Sequence, residues 1–444
     1  MNVIPACVDV AVIGGGPAGA AAATFARHAG LSVVVLEKEN FPRFRIGESL
    51  LPKGNAVLRA MGVWPKLERA DFIPKHGAFF HSGDGRAGRE ILFSEGLVPG
   101  LDSTFQVERA RFDHILLAHA REAGADVRIG ATVLSVEEEA DRVVLTYRQG
   151  GDTRQLAAHW LLDGSGRDRG VELPLKAERD PCRLEKRIAI YSHLKGVSRP
   201  AGLQAGHTSI VRLVDGWFWL IPIDAERTSV GLVTTTERFR ASRLSPQAFF
   251  ESEVASAPRL RELLAGATAA MPFHVTADYS YFHRRLADGR VLLLGDAAGF
   301  FDPIFSSGVY LALQTGQRAI DTLLPAHSEQ RSLQPREARR YTRWIKRHAA
   351  VFERLILAFY DNASAVVFLQ PGAPWGISQA INSIVAGHAE LTWPLWWRFW
   401  AFLLICRVQR YFPFISRVGL ERAANSGGPS LDEELDEEHS PAPV

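Results

Sequence analysis

The sequence predicts an α/β fold with a parallel sheet, an antiparallel sheet and a helical C-terminal region. Three patterns predict it. An apolar run at 8–13 empties into Gly14-Gly15-Gly16-Pro17-Ala18-Gly19. Alternating segments at 187–194, 208–214, 217–223 and 228–235 read as strands of a second sheet. From Leu333 onward the spacing turns helical, through 337–360 and again 391–408. The chain has 444 residues, 47% hydrophobic and 23% charged, which suits two closely packed lobes.

The first pattern is a βαβ unit. After the strand at 8–13 comes an Ala-rich helix at 18–30, then a β-branched strand at 31–36 that ends in Glu37. Gly14 makes the tight turn, and Gly16 lets backbone approach a pyrophosphate. Gly19 lets the helix pack close, with its N-terminus toward the phosphates. Glu37 lies about 20 residues beyond the glycines, where an acid accepts hydrogen bonds from a ribose diol. Strand, turn, helix, strand and acid agree, so a dinucleotide site is expected in a Rossmann-like unit of the glutathione-reductase type.

Three further stretches choose the nucleotide. Residues 105–127 read as an amphipathic helix followed by a strand, and 160–166 (WLLDGSG) as a strand running into Asp163-Gly164. Residues 290–308 form a buried strand ending in Gly295-Asp296, then a loop and a helix over 309–323. Asp296 is placed to accept a ribityl hydroxyl, and amides near Ser307 and Gly308 to face a ring edge. With no second GxGxxG, FAD is the expected cofactor rather than a nicotinamide. The expected organisation is an FAD-binding domain from 1–80, 105–175 and 276–330. A sheet-rich substrate domain comes from 81–104 and 176–275, with a helix over 246–265. A helical region spans 331–425, and 426–444 forms a disordered acidic tail.

Charge and cysteine content exclude several classes. The net charge is +2, but the last nineteen residues hold six acids and no Lys or Arg, leaving +8 on residues 1–425. That excess is scattered, without the basic stripe of a nucleic-acid binder. Cys7, Cys182 and Cys406 fit neither a disulfide framework nor a metal site. His76, His81 and His207 match no metal spacing and are expected to be partly exposed. No leader is expected, because the first strand starts at Val8, and a cytoplasmic location fits.

Four motifs together resemble flavin-dependent halogenases: GGGPAG at 14–19, GESLLP at 47–52, WFWLIP at 217–222 and FFDPIFSSG at 300–308. The last fits FxxPxxSxG through Phe300, Pro303, Ser306 and Gly308. The resemblance spans about 8–325 and implies an enzyme using FADH2, O2 and chloride or bromide, fed by a separate flavin reductase. It adds Glu48, Ser49, Arg109 and Pro303 to the cofactor set of Gly14, Gly16, Ala18, Gly19, Glu37, Asp296 and Gly308. It implies that the Ser307 and Gly308 amides hold the halide, an anion site of the helix-end kind. Hypochlorous acid formed there then travels to a lysine, for which Lys75 matches in location and Lys53 is the rival. Trp217 and Trp219 share one strand face and would keep substrate from the flavin.

Departures refine this. Where tryptophan halogenases carry a glutamate before the motif serine, this chain has Phe305, which cannot stabilise a ring cation. The pattern is closer to members acting on phenols, or on aromatic and acyl groups tethered to carrier proteins. The stretch 393–414 holds four of the ten tryptophans, interrupted by Arg398, Arg407 and Arg410. It is expected to pack as core, to touch a membrane surface peripherally, or to dock a lipidic or carrier-bound substrate. Two other readings stay open. One is a flavin monooxygenase or isoprenoid (geranylgeranyl-type) reductase without halide chemistry. The other is a non-catalytic flavin-binding partner.

Overall fold

A computed structural model describes residues 7–415 except 168–169, 176–177, 181–183, 278–279, 301 and 371. The expected acidic tail and Cys182 lie outside the described residues. Five strands, Val291–Leu293, Asp152–Asp163, Cys7–Ile13, Val33–Glu37 and Asp126–Ile129, lie side by side and all parallel. Their near-continuous Val, Ile and Leu content follows from cover on both faces. The helix Pro17–His28 covers one face and packs against Ser307–Ser328. Contact is close because Gly316 leaves no side chain where a Cβ would lie 2.7 Å from the Ala18 carbonyl oxygen. The helix and strand expected within 105–127 are Arg109–Glu122 and Asp126–Ile129, and the helix expected over 309–323 runs from Ser307 to Ser328.

The second sheet runs in the order Thr268–Ala269, Arg187–Lys195, Arg227–Thr235, Gly216–Pro222, Thr208–Arg212, Gly77–Ser82 and Gly88–Leu92. One pair departs from the expected antiparallel pattern: Thr208–Arg212 lies parallel to Gly77–Ser82. Strands from distant parts of the chain meet there, so no hairpin dictates their direction. The boundary expected at 80/81 therefore cuts through a strand of this sheet. The single helix expected over 246–265 is two, Pro246–Ser256 and Pro258–Leu263. Pro258 lacks the N–H that a continuous helix needs.

The C-terminal region contributes Pro335–Tyr360, Asn362–Phe368, Ile377–Val385 and Trp393–Tyr411. A capping box between Gln334 and Glu337 starts the first of these. Phe352, Leu355, Ile356 and Phe359 share one apolar core with Phe80, Trp217, Trp219 and Phe305. The region is thus packed against the second sheet, and its helices form part of the surroundings of the site.

Candidate active site

The carboxyl edge of the parallel sheet opens into a cavity with about 2010 Å³ of empty space, its open mouth included. Gly14, with φ +89°, turns the chain there. A Cβ on Gly19 would sit 1.9 Å from the Gly14 carbonyl oxygen, so this glycine acts by packing and does not itself line the cavity. Gly14, Gly16, Ala18, Glu37 and Arg109 do line it. Buried Glu37 accepts the Gly15 N–H at 2.6 Å and the Glu39 N–H at 2.7 Å, which fixes its carboxylate at the end of its strand.

Beside it, one fully buried carboxylate serves two arginines. Asp113 takes Arg109 in a two-pronged contact at 2.8 and 2.9 Å and Arg43 at 3.2 Å. Arg43, Arg45, Arg109 and Arg167 all face the cavity and give it cationic character suited to a pyrophosphate. Sequence reasoning named only Arg109. The signal for two of the others was the FPRFR run just before GES.

Another part of the wall differs in chemistry. Glu48, Ser49, Asp296, Pro303 and Gly308 line it, together with Trp217 and Trp219. Asp296 is lifted above the ordinary carboxylate range by burial, opposed by Arg167 and Arg109. The helix Ser307–Ser328 starts at Ser306, held left-handed at φ +54°, and its first-turn amides have no intrahelical acceptors. Ser307 is buried, while Ser306 and Gly308 reach the cavity wall. Glu48, also buried, lies 3.1 Å from His193, a partner the sequence did not suggest.

The two indoles form a buried wall, ring centroids 5.8 Å apart. Trp219 donates to Ser229 Oγ at 3.1 Å and lies flat over Gly231, where a Cβ would meet its ring at 2.1 Å. Trp217 donates to the Tyr360 hydroxyl at 2.7 Å, and that hydroxyl donates to Asp302 Oδ2 at 2.7 Å. Asp302 Oδ1 accepts the Ile304 N–H at 3.0 Å, and the Arg187 guanidinium sits 3.6 Å over the Tyr360 ring. Burial pushes Asp302 up to about 6 and, with the neighbouring carboxylate, Tyr360 well above its usual range. This chain ties the wall to the loop before Ser306. Tyr360 was invisible to sequence reasoning, but the acid in FFDPIF was a readable clue.

Lys75 ends the short strand Ile73–Lys75, which pairs with Thr104–Gln106. It is 2% exposed, and its Nζ donates to Ser49 Oγ at 2.7 Å and to the Leu50 carbonyl at 3.0 Å. Burial lowers its pKa to about 7. Lys75 does not line the cavity, whereas Ser49 and Thr208 do, and their hydroxyls are 3.1 Å apart. Gln106 braces Thr208 at 2.8 Å. A pair of hydroxyls therefore separates the cavity from the amine. The rival Lys53 is partly exposed and faces Glu390 at 3.7 Å.

Phe305 is buried against Phe80, Phe359 and Phe368, with centroids 5.9 to 6.2 Å away. His207, expected to be partly exposed, is instead 2% exposed. It lies between the turn Gly202–Gly206 and the strand Thr208–Arg212, with the Phe79 ring 5.1 Å away and Glu90 3.3 Å away. Among the described residues no cluster of three potential metal ligands occurs.

A cationic nucleotide end, a ribose-facing acid and a helix N-terminus beside a half-buried aspartate fit FAD, and the protein is a flavoprotein. The chain matches the FAD binding domain family over residues 7–340. It belongs to the flavin-dependent halogenases. It is 36% identical over 343 residues to a 1H-pyrrole-2-carbonyl-[peptidyl-carrier protein] chlorinase of Pseudomonas fluorescens, covering 72% of this chain and 76% of that one. It is 32% identical to a tryptophan 2-halogenase of Chondromyces crocatus, covering 70% of this chain and 60% of the relative. The myxobacterial chondrochloren halogenase superposes with a TM-score of 0.76 at 29% identity, over 94% of this chain and all of that one.

Proposed function

We propose that the protein halogenates an electron-rich aromatic group, phenolic or tethered to a carrier protein, using FADH2 from a separate reductase, O2 and chloride or bromide. Reduced FAD, when bound, supplies with O2 the oxidising equivalent that turns halide into hypohalous acid. Gly14, Gly16, Ala18, Glu37, Arg43 and Arg109 hold its nucleotide half, and Glu48, Ser49, Asp296, Pro303 and Gly308 surround its flavin half. The Ser307 and Gly308 amides bind halide, because a helix start favours an anion there. Trp217 and Trp219 exclude bulky aromatics from that end.

The observation that carries the reading is Lys75, a buried amine one hydroxyl pair away from the cavity. A small neutral acid can exchange hydrogen bonds with Ser49 and Thr208, and an aromatic substrate cannot pass between them. With a pKa of about 7, Lys75 holds both protonation states near neutrality. The ammonium form donates a hydrogen bond to the oxidant, and the amine form can carry halogen. Carrier tethering is supported by the two relatives named for carrier-bound pyrrole, the chlorinase above and a brominase of Pseudoalteromonas luteoviolacea that is 30% identical.

The test supplies reduced FAD from a purified reductase, with bromide and a panel of phenols and aromatic acyl carrier proteins. The expected product shows the bromine isotope doublet by mass spectrometry and requires halide. An oxygenated product formed equally without halide would overturn the proposal.

A further inference from the structure

The helix Trp393–Tyr411 has two faces of opposite fate. Leu395, Phe399, Phe402, Cys406 and Gln409 are buried against the neighbouring helices. On the opposite side Trp393, Trp396, Trp400, Leu404, Val408 and Tyr411 are all exposed, Trp393 by 72% and Tyr411 by 67%. At 100° per residue these six fall within one stripe about 120° wide. Phe412 and Phe414, just past its end, are exposed as well, as is Trp375 by 74%. Trp393 stacks on Trp396 at 5.4 Å, and Trp396 meets Trp400 at 6.3 Å. A continuous exposed aromatic ridge of this size marks an interaction surface.

Its charge indicates the partner. No Asp or Glu occurs in residues 391–415. Arg407 lies exposed within the stripe, and the Arg354 guanidinium sits 5.3 Å from the Trp400 ring. A second copy docked through the same stripe would set Arg407 against a face to which residues 391–415 contribute no acid, and nearby Asp361 is already paired with Arg410 at 3.3 Å. The face is also a ridge about 28 Å long, on the outer side of a single helix. Tryptophan rings at headgroup depth, arginine heads above them and apolar residues below are what a helix lying in a lipid interface needs. No described helix is long and apolar enough to span.

We propose that this face of the Trp393–Tyr411 helix lies on an anionic lipid bilayer, holding the enzyme at the membrane surface. The proposal is independent of the halogenation reading, because its test reads binding and not turnover.

The FAD-loaded full-length protein is sedimented with vesicles of phosphatidylcholine alone or mixed with phosphatidylglycerol. Binding to the mixed vesicles is expected, weakened by salt and accompanied by a blue shift of tryptophan emission. Trp396→Glu with Trp400→Glu should lower vesicle affinity about tenfold or more, with flavin content and melting temperature retained. Arg407→Gln, which leaves the apolar ridge intact, should cost roughly fivefold on anionic vesicles and nothing on neutral ones. Failure to sediment, or equal sedimentation of the double variant, overturns the proposal. So does a concentration-dependent dimer, or capture of an acidic carrier protein, that the same substitutions abolish while vesicles go unbound.

Discussion

Replacing Lys75 by Met should make the protein more stable near neutrality and abolish halogenation. The amine is 2% exposed, and burial lowers its pKa from 10.5 to about 7. The unfolded chain therefore binds the extra proton between about pH 7 and 10.5, so this group's contribution to stability rises with pH across that window. At pH 7 a shift of this size costs the fold about 4 kcal/mol, at 1.36 kcal/mol per unit. The two hydrogen bonds to Ser49 and Leu50 return roughly 2 kcal/mol. Methionine fills similar volume without charge, so the variant should gain about 2 kcal/mol at pH 7. The advantage should vanish near pH 9, where the charge cost falls to about the worth of the two bonds. Urea denaturation of the FAD-loaded protein from pH 7 to pH 10 reads this directly. A stability difference between the Lys75→Met variant and its parent that stays flat across that range would refute the burial argument. Retained halogenation would refute the role of the amine.

Other outcomes follow from the same site. Tyr360→Phe removes the hydroxyl joining Trp217 to Asp302, and should cost about 1–3 kcal/mol by leaving buried groups unpaired. Its expected signature is more hydrogen peroxide released per reduced FAD, with FAD affinity unchanged. An unchanged product-to-peroxide ratio would deny the wall its role. Asp302, raised from 3.8 to about 6, favours the folded state when protonated, so its contribution is lost as pH rises from about 4 to 6. Asp302→Asn should flatten that part of the stability profile by up to about 3 kcal/mol, measured by denaturation across acidic pH. Gly231→Val drives a side chain into the Trp219 ring and should uncouple the reaction in the same way as the tyrosine variant, read by peroxide release. Gly19→Ala places a methyl against the Gly14 carbonyl and should yield flavin-free protein, seen by loss of the flavin absorbance.

What the sequence revealed was whatever its chemistry writes locally. Glu37 was legible because strand, turn and helix fix its distance from the glycines, and Asp296 because it follows a buried strand. The strands of the second sheet were legible from alternation, and Pro258 could have been read as the break it makes. What stayed hidden depends on contacts between distant segments. Asp302 and Tyr360 are 58 positions apart, and Glu48 and His193 are 145 apart. Thr208 and Gln106 carry no motif, and only the folded chain sets them behind Ser49. The burial of His207 stayed hidden for the same reason, since a residue after a turn looks solvated until Phe79 and Glu90, from a distant segment, are seen beside it. The last helix was read as either core or surface, and its two faces make it both.

The Ser49–Thr208 pair has a bearing on how such an enzyme could change over time. If only a diffusible oxidant passes from the cavity to Lys75, the residues that manage oxygen and halide never meet the molecule being modified. Mutations around Lys75 could then admit a new aromatic without disturbing the redox half, and the redox half could be tuned without regard to what lies beyond. One hydroxyl bridge, 3.1 Å long, would let the two halves evolve apart.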